Sequence, residues 1–341
     1  MEQRNFSYCV AIRTLGKAGE KYQRELDSLK NQTVQPQKIL VYIAEGYELP
    51  KETIGIEQYI YVKKGMVAQR ALPFTQIDTE YVLFLDDDLF LPEDAVEKLY
   101  DGLCELQGDC IVADIFCNQE MDIKRKILAF ITNWAYPRKD DNWAFKIQRN
   151  ASFSYNNNPS KEVYFSQSGA GAASLWKMSA FKAIHFEDER WLDNLGFAYG
   201  DDLLCFYKLY LNGFRLLVHY KSGIIHLDAG SGRRNYNENS QKLLLRGEIQ
   251  FILWWRIRYN LSTNTCIDRC LNLFSYGLKF CWGIGLHLLY SIAIMNIKPF
   301  VCYLKGNYRG VKYVCNRSYR LIPNFIISDL SEKNENSLLF E

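Results

Sequence analysis

The sequence predicts an α/β fold: a mostly parallel sheet with helices on both faces, followed by a helical, basic C-terminal segment. Three observations carry this. Residues 81–85 are a run of β-formers long enough for one buried strand, and the run ends abruptly in Asp86, Asp87 and Asp88. The pieces before it alternate strand, helix, strand, strand, helix, strand, the rhythm of parallel pairing. Between residues 241 and 320, 12 Lys and Arg stand against Glu248 and Asp268, a balance of +10, which leaves the remainder at −8.

The elements follow in order. Residues 8–12 form a first strand and 13–17 a polar turn, after which Tyr22, Leu26 and Leu29 mark one helix face. Residues 38–43 are a second strand ending at Ala44-Glu45-Gly46, 58–62 a third, and 65–71 a short helical piece. Beyond the three acids, Pro92, Glu93 and Asp94 open a segment with Ala95, Val96, Leu99 and Leu103 at helical spacing, and 110–115 is a further strand. In such a sheet the loops after the first, second and fourth strands gather at one edge, which brings together Thr14, Glu45 and the acids 86–88.

Three adjacent carboxylates repel one another unless a cation or several donors compensate. A divalent metal carrying a phosphorylated ligand meets that need, because hard cations are held by one or two carboxylates plus substrate phosphates; an acidic turn capping a helix N-terminus meets it too. Glu45 suits a hydrogen bond from a base or ribose, or an ordinary turn. Arg70 suits a phosphate, the acid cluster or plain solvent. Tyr199-Gly200-Asp201-Asp202 opens a helix that Asn212-Gly213 terminates. Its paired acids suit capping of that helix, and a carboxylate beside another has a raised pKa. His226 ends a strand-like stretch and precedes a glycine-containing loop with Arg233 and Arg234. Residues 168–173 are small enough for backbone to approach a ligand closely. Trp134, Tyr136, Trp143, Phe145, Phe153 and Tyr155 offer rings for sugar stacking or for packing under a surface loop.

In their order these pieces resemble a family 2 glycosyltransferase of the GT-A nucleotide-sugar fold, bacterial surface-glycan type. The resemblance rests on the first strand and turn, the Leu-x-x-Leu helix with Gln32 and Pro36, Gly65-x-x-x-Gln69-Arg70, Phe84-Leu85-Asp86-Asp87-Asp88, Gly200-Asp201-Asp202 and His226. The chain departs from the family in the nucleotide pocket, with Arg13-Thr14-Leu15 in place of Pro-x-x-Asn and Glu45-Gly46-Tyr47 in place of Asp-Gly-Ser. The resemblance implies that Thr14, Glu45, Arg70, Asp86 and Asp87 contact a nucleoside-diphosphate sugar, and that Asp88, Asp86 and His226 hold Mn²⁺ or Mg²⁺ at a DXD motif. It further implies that Asp202, beside Asp201, deprotonates a glycan or lipid-linked acceptor in inverting transfer during bacterial surface polysaccharide synthesis.

A net charge of +2 excludes nucleic acid as the expected partner. Ten cysteines without Cys-x-x-Cys spacing and an N-terminus without a long apolar run suit the cytoplasm. We divide the chain into a catalytic domain at 1–238 and a helical C-terminal region at 239–341. Residues 280–297 carry no formal charge, a length at the lower limit for a bilayer span, with Lys279 and Lys298 at the ends. The basic charge and the aromatic residues favour interfacial helices on the anionic inner face of the plasma membrane; a single transmembrane helix, or an apolar face covered in a homo-oligomer, fits the same stretch. Two other classes compete. A sugar nucleotidyltransferase of related fold needs a glycine-rich basic phosphate loop after the first strand, where this chain has Gly16, Gly19 and two cations; a non-catalytic membrane scaffold needs none of the acids.

Overall fold

Strands buried on both faces read as nearly continuous apolar runs, and the centre of this sheet obeys that rule. In a computed structural model, which describes residues 6–327 apart from 116–122, 124–126, 128, 129, 132–134, 197, 198 and 228–235, β1 (Tyr8–Thr14), β2 (Ile39–Ala44) and β4 (Tyr81–Asp86) are buried almost throughout. β3 (Glu57–Val62) is half exposed because it lies at the edge. Pairing is parallel from β3 through β2 and β1 to β4. β11 (Ala173–Lys177) then runs antiparallel between β4 and β6 (Cys110–Ala113), β12 (Leu216–His219) runs parallel to β6, and β10 (Val163–Phe165) closes the other edge antiparallel. The order across the eight strands is β10-β12-β6-β11-β4-β1-β2-β3. The sheet is mostly parallel, as the sequence predicts; the antiparallel placement of β10 and β11 is not among its expectations.

Side chains alternate between the faces of each strand, so two cores form. Tyr8, Val10 and Ile12 face the core shared with α1 (Glu20–Lys30) and α3 (Ala95–Glu105), where Tyr22, Leu26, Leu29, Val96 and Leu99 are buried. Cys9 and Ala11 face the opposite core, which includes Trp176, Phe206 and residues of the C-terminal helices such as Ile252 and Ile257. The short helix α2 (Met66–Arg70) packs on the 3₁₀ segment Phe186–Leu195. β5 (Leu89–Phe90) pairs antiparallel with β13 (Ile225–His226), and β7 (Tyr136–Pro137), β9 (Phe153–Tyr155) and β8 (Phe145–Ile147) form a small sheet. The expected aromatic loop is in part this packed sheet, with Trp143 against Phe165 and Tyr210; Trp134, Arg233 and Arg234 lie outside the described residues.

The C-terminal region shares the second core. Helix Tyr236–Trp254 continues through a π turn at Trp255–Tyr259. There Arg256 donates from Nε and Nη2 to the buried Glu189, both at 2.6 Å. Lys208 reaches the same carboxylate at 3.2 Å, and the Trp191 indole donates to it at 2.7 Å. Burial alone would raise the Glu189 pKa, but the Arg256 and Lys208 charges bring it below the ordinary value. The charge-free stretch 280–297 is not one helix. Helix Cys266–Ala293 ends within it, Met295 adopts a left-handed conformation, and the next helix begins at Lys298–Pro299. No helix of the described residues is long and apolar enough to cross a membrane. The cysteines among those residues form no disulfides.

Candidate active site

The chain steps from β1 to β2 and β3 on one side, and β4 lies on the other side of β1. This is a topological switch point, outside which a crevice opens at the strands' carboxyl ends. The parallel register sets Arg13 opposite Asp86. Arg13 Nη2 is ion-paired with Asp86 Oδ1 and donates to the Gly171 carbonyl at 3.2 Å. The buried Thr14 hydroxyl donates to Asp87 Oδ2 and accepts from the Gly16 N–H at 2.7 Å. Asp86 and Asp87 are thus both held by partners on β1.

Asp88 is placed differently. Pairing of β13 with β5 sets His226 opposite Leu89, and the Leu227 N–H donates to the Asp88 carbonyl at 2.8 Å. As a result His226 Nε2 lies 3.1 Å from Asp88 Oδ1, with both side chains partly exposed. Of the three expected metal ligands, Asp88 and His226 meet, while Asp86 is engaged by Arg13. Among the described residues no three His, Cys, Asp or Glu side chains are grouped to hold a metal. A carboxylate and an imidazole completed by the oxygens of a diphosphate nevertheless fit Mn²⁺ or Mg²⁺, which rarely rely on an all-protein cage.

The second constellation is built around Arg70. α2 has only five residues and is held at both ends by the 3₁₀ segment: Asp193 accepts from the Val67 and Ala68 N–H groups at 3.0 and 2.9 Å, and Arg190 donates to the Ala71 carbonyl at 2.7 Å. Arg70 emerges from this clamp to ion-pair with Asp202 Oδ1, and its Nε lies 3.2 Å from Asp201 Oδ2. The Gly171 N–H donates to Asp202 Oδ2 at 3.1 Å. A Cβ on Gly171 would lie 2.0 Å from Asp202 Oδ1 and would push the ends of the Asp202 and Arg70 side chains aside. The 168–173 segment does bring backbone close to a partner, and that partner is Asp202. Gly200, which opens the Asp201–Leu211 helix with φ +86°, lies against Leu253 of the C-terminal helix.

Electrostatics separate the acids. Burial raises the pKa of Asp86 to about 6 against the opposing charge of Arg70. Burial likewise raises Asp201 to about 6, with Arg70 opposing and Asp202 adding to the rise. Asp87 is raised by burial, against the Thr14 hydroxyl bond. Burial alone would lower Arg70, but the charges of Asp201, Asp202 and Asp86 hold it above its ordinary value. Of the pair, Asp201 has a side chain only 6% exposed, while that of Asp202 is 37% exposed.

Glu45 lies exposed in the turn after β2, its N–H donating to the Val62 carbonyl at 2.8 Å. Beside it, sequence reasoning passed over Tyr47, whose ring has the Lys17 and Lys64 ammonium groups 5.0 and 4.9 Å from its centroid and whose hydroxyl accepts from Lys64 at 2.6 Å. It also missed Glu25, fully buried on α1, which accepts from the Leu89 N–H at 3.1 Å directly behind the acid turn. Burial pushes Glu25 well above the carboxylate range. Its signal was a charged residue within the apolar stripe of Tyr22, Leu26 and Leu29.

Residues 58–158, which include Arg70 and Asp86 to Asp88, match the model of the glycosyl transferase family 2. No curated protein matches the chain. Among solved structures, the crystal structure of GalNAc-T7 with UDP, GalNAc and Mn²⁺ is 13% identical, with a TM-score of 0.46 over 73% of this chain. The matched part is 51% of that protein, so this chain spans about half of its length.

Proposed function

We propose that the protein is a metal-dependent, inverting glycosyltransferase that moves a sugar, hexosyl in type, from a nucleoside-diphosphate donor to a hydroxyl of a glycan or lipid-linked acceptor. The setting is bacterial surface polysaccharide synthesis, on the cytoplasmic face of the plasma membrane. The family match over 58–158 supports the donor half of this reading. The observation that carries the whole is the convergence of Asp202 with the 86–88 acids through Arg13, Arg70 and Gly171 at one sheet edge.

In this reading Thr14, Glu45, Arg70, Asp86 and Asp87 form the nucleotide side of the crevice. Asp88 and His226, with Asp86 near, would hold Mn²⁺ or Mg²⁺, which when bound would supply positive charge for the departing diphosphate. Arg70 and the Gly171 N–H fix the Asp202 carboxylate, leaving its exposed side for the acceptor. Asp202 takes the acceptor's proton as the acceptor oxygen bonds to the anomeric carbon. The bond from that carbon to the diphosphate oxygen breaks with its electron pair, and attack from the opposite face inverts the centre. Asp201, buried behind, keeps Arg70 in place.

The test is mass spectrometry of products formed by the purified full chain from a panel of nucleotide sugars with a membrane extract as acceptor source. A product heavier by one sugar residue, with release of nucleoside diphosphate, is expected. Pyrophosphate release with formation of a nucleotide sugar would assign the chain to the nucleotidyltransferases instead.

A further inference from the structure

Helix Cys266–Ala293 has its polar face turned inward. On the side facing the protein, Asn272 is buried and donates to the Arg258 carbonyl at 2.8 Å, the Tyr276 hydroxyl donates to Asn307 at 2.9 Å, and Lys279 donates to the Asn150 carbonyl at 3.2 Å. The outward side carries Ile267, Leu271, Phe274, Leu278, Leu289 and Ile292, each between 44% and 71% exposed. Their spacing keeps them on one stripe, which at 1.5 Å per residue runs about 38 Å. In water this orientation is the unfavourable one, since a surface helix buries its apolar stripe.

Two further apolar side chains are exposed close in sequence to a residue bonded to this helix. Ile123 and Ile127, helical and four residues apart, are 75% and 53% exposed. The nearby Ile131 carbonyl accepts from the Trp282 indole at 2.9 Å, which ties this element to the helix across 151 positions of sequence. The neighbouring helix Lys298–Val314, joined to the first by the stacking of Tyr303 on His287, exposes Lys298, Lys305 and Lys312, and Arg317 and Arg320 follow it, also exposed. An exposed apolar stripe on one helix, with exposed cations on its neighbour, complements a surface that is apolar beneath and anionic at its boundary.

We propose that the outward face of helix 266–293, together with Ile123 and Ile127, is a docking surface for an anionic lipid bilayer, with the helix lying in the headgroup plane. The inference deepens the proposed function and rests on it only for the lipid-linked acceptor.

Flotation of the full chain with vesicles of equal parts phosphatidylglycerol and phosphatidylcholine tests it without any donor. The protein floats with these vesicles and much less with phosphatidylcholine alone, and high salt weakens but does not abolish binding. The double change Phe274→Glu and Leu278→Glu lowers the bound fraction by about tenfold or more, and Ile127→Glu lowers it independently. Nucleoside diphosphate affinity, measured on the same variants, stays at the wild-type level and shows that they are folded. Flotation of the double variant equal to wild type overturns the proposal. So does a dimer in lipid-free ultracentrifugation that the same double change dissociates, which would give the face to a second copy. Retention in the bilayer after carbonate extraction would replace docking by insertion. Loss of flotation with donor binding intact leaves the enzymatic reading standing.

Discussion

Arg70 and Asp202 form an ion pair across 132 positions of sequence, and the Gly171 N–H holds the second oxygen of the same carboxylate. An acid placed only to cap its helix has no need of either partner. If Asp202 is the general base, Asp202→Asn preserves shape and donor binding, and turnover falls by about 10² to 10⁴ with donor affinity nearly unchanged. If it were only a cap, Asn would serve as well as Asp. Transfer rate and donor affinity measured side by side decide the matter, and near wild-type turnover removes Asp202 from the mechanism.

The raised pKa of Asp201 gives stability and activity opposite pH dependences. An Asp has an ordinary pKa of about 3.9. In the folded chain Asp201 titrates at about 6, so between these values the native state holds a proton that the unfolded chain has lost. Its contribution to stability is complete below pH about 4 and is lost as pH rises through about 6, and Asp86 acts in the same direction. Turnover should move the other way, falling as pH drops through about 6, because protonated Asp201 no longer holds Arg70 by charge. Urea unfolding at several pH values, for wild type and Asp201→Asn, checks the first statement. A variant with an unchanged pH slope contradicts it.

Glu189 joins the C-terminal helices to the α/β part of the chain. It is fully buried with Lys208 and is bonded by Arg256 and Trp191. Glu189→Gln keeps the volume but leaves the buried Arg256 without its carboxylate, while Lys208 keeps only the Asp188 carboxylate at 3.3 Å, which costs about 3 to 5 kcal/mol. The denaturant midpoint should fall with an unchanged slope. A loss below about 1 kcal/mol, typical of an exposed pair, would show that the node is not holding the two parts together.

Much of this was legible in the sequence because local signals agreed with the fold. The apolar runs of β1, β2 and β4 are long and buried on both faces, and the stripe of Ala95, Val96, Leu99 and Leu103 is unambiguous. The Asp201–Leu211 helix began and ended where its acids and Asn212-Gly213 implied. Contacts made across the sheet were not legible. β11 is five residues that reverse direction between two parallel strands, and nothing in Ala-Ser-Leu-Trp-Lys specifies that insertion. Arg13 looked like part of a polar turn until register set it opposite Asp86. The inverted packing of helix 266–293 was hidden because composition records how much apolar surface a helix has, not which side it turns to the protein.

The central claim is that Asp88 and His226 form the metal side of a nucleotide-diphosphate site. Calorimetric titration of the full chain with nucleoside diphosphates, with and without Mn²⁺ or Mg²⁺, tests it most directly. We expect one nucleotide to bind at least about tenfold more tightly with the metal, a gain of about 1.4 kcal/mol. That gain should vanish in Asp88→Ala and in His226→Ala and persist in Asp202→Asn. Metal-dependent affinity that survives Asp88→Ala, or the failure of every nucleoside diphosphate to bind, would contradict the account.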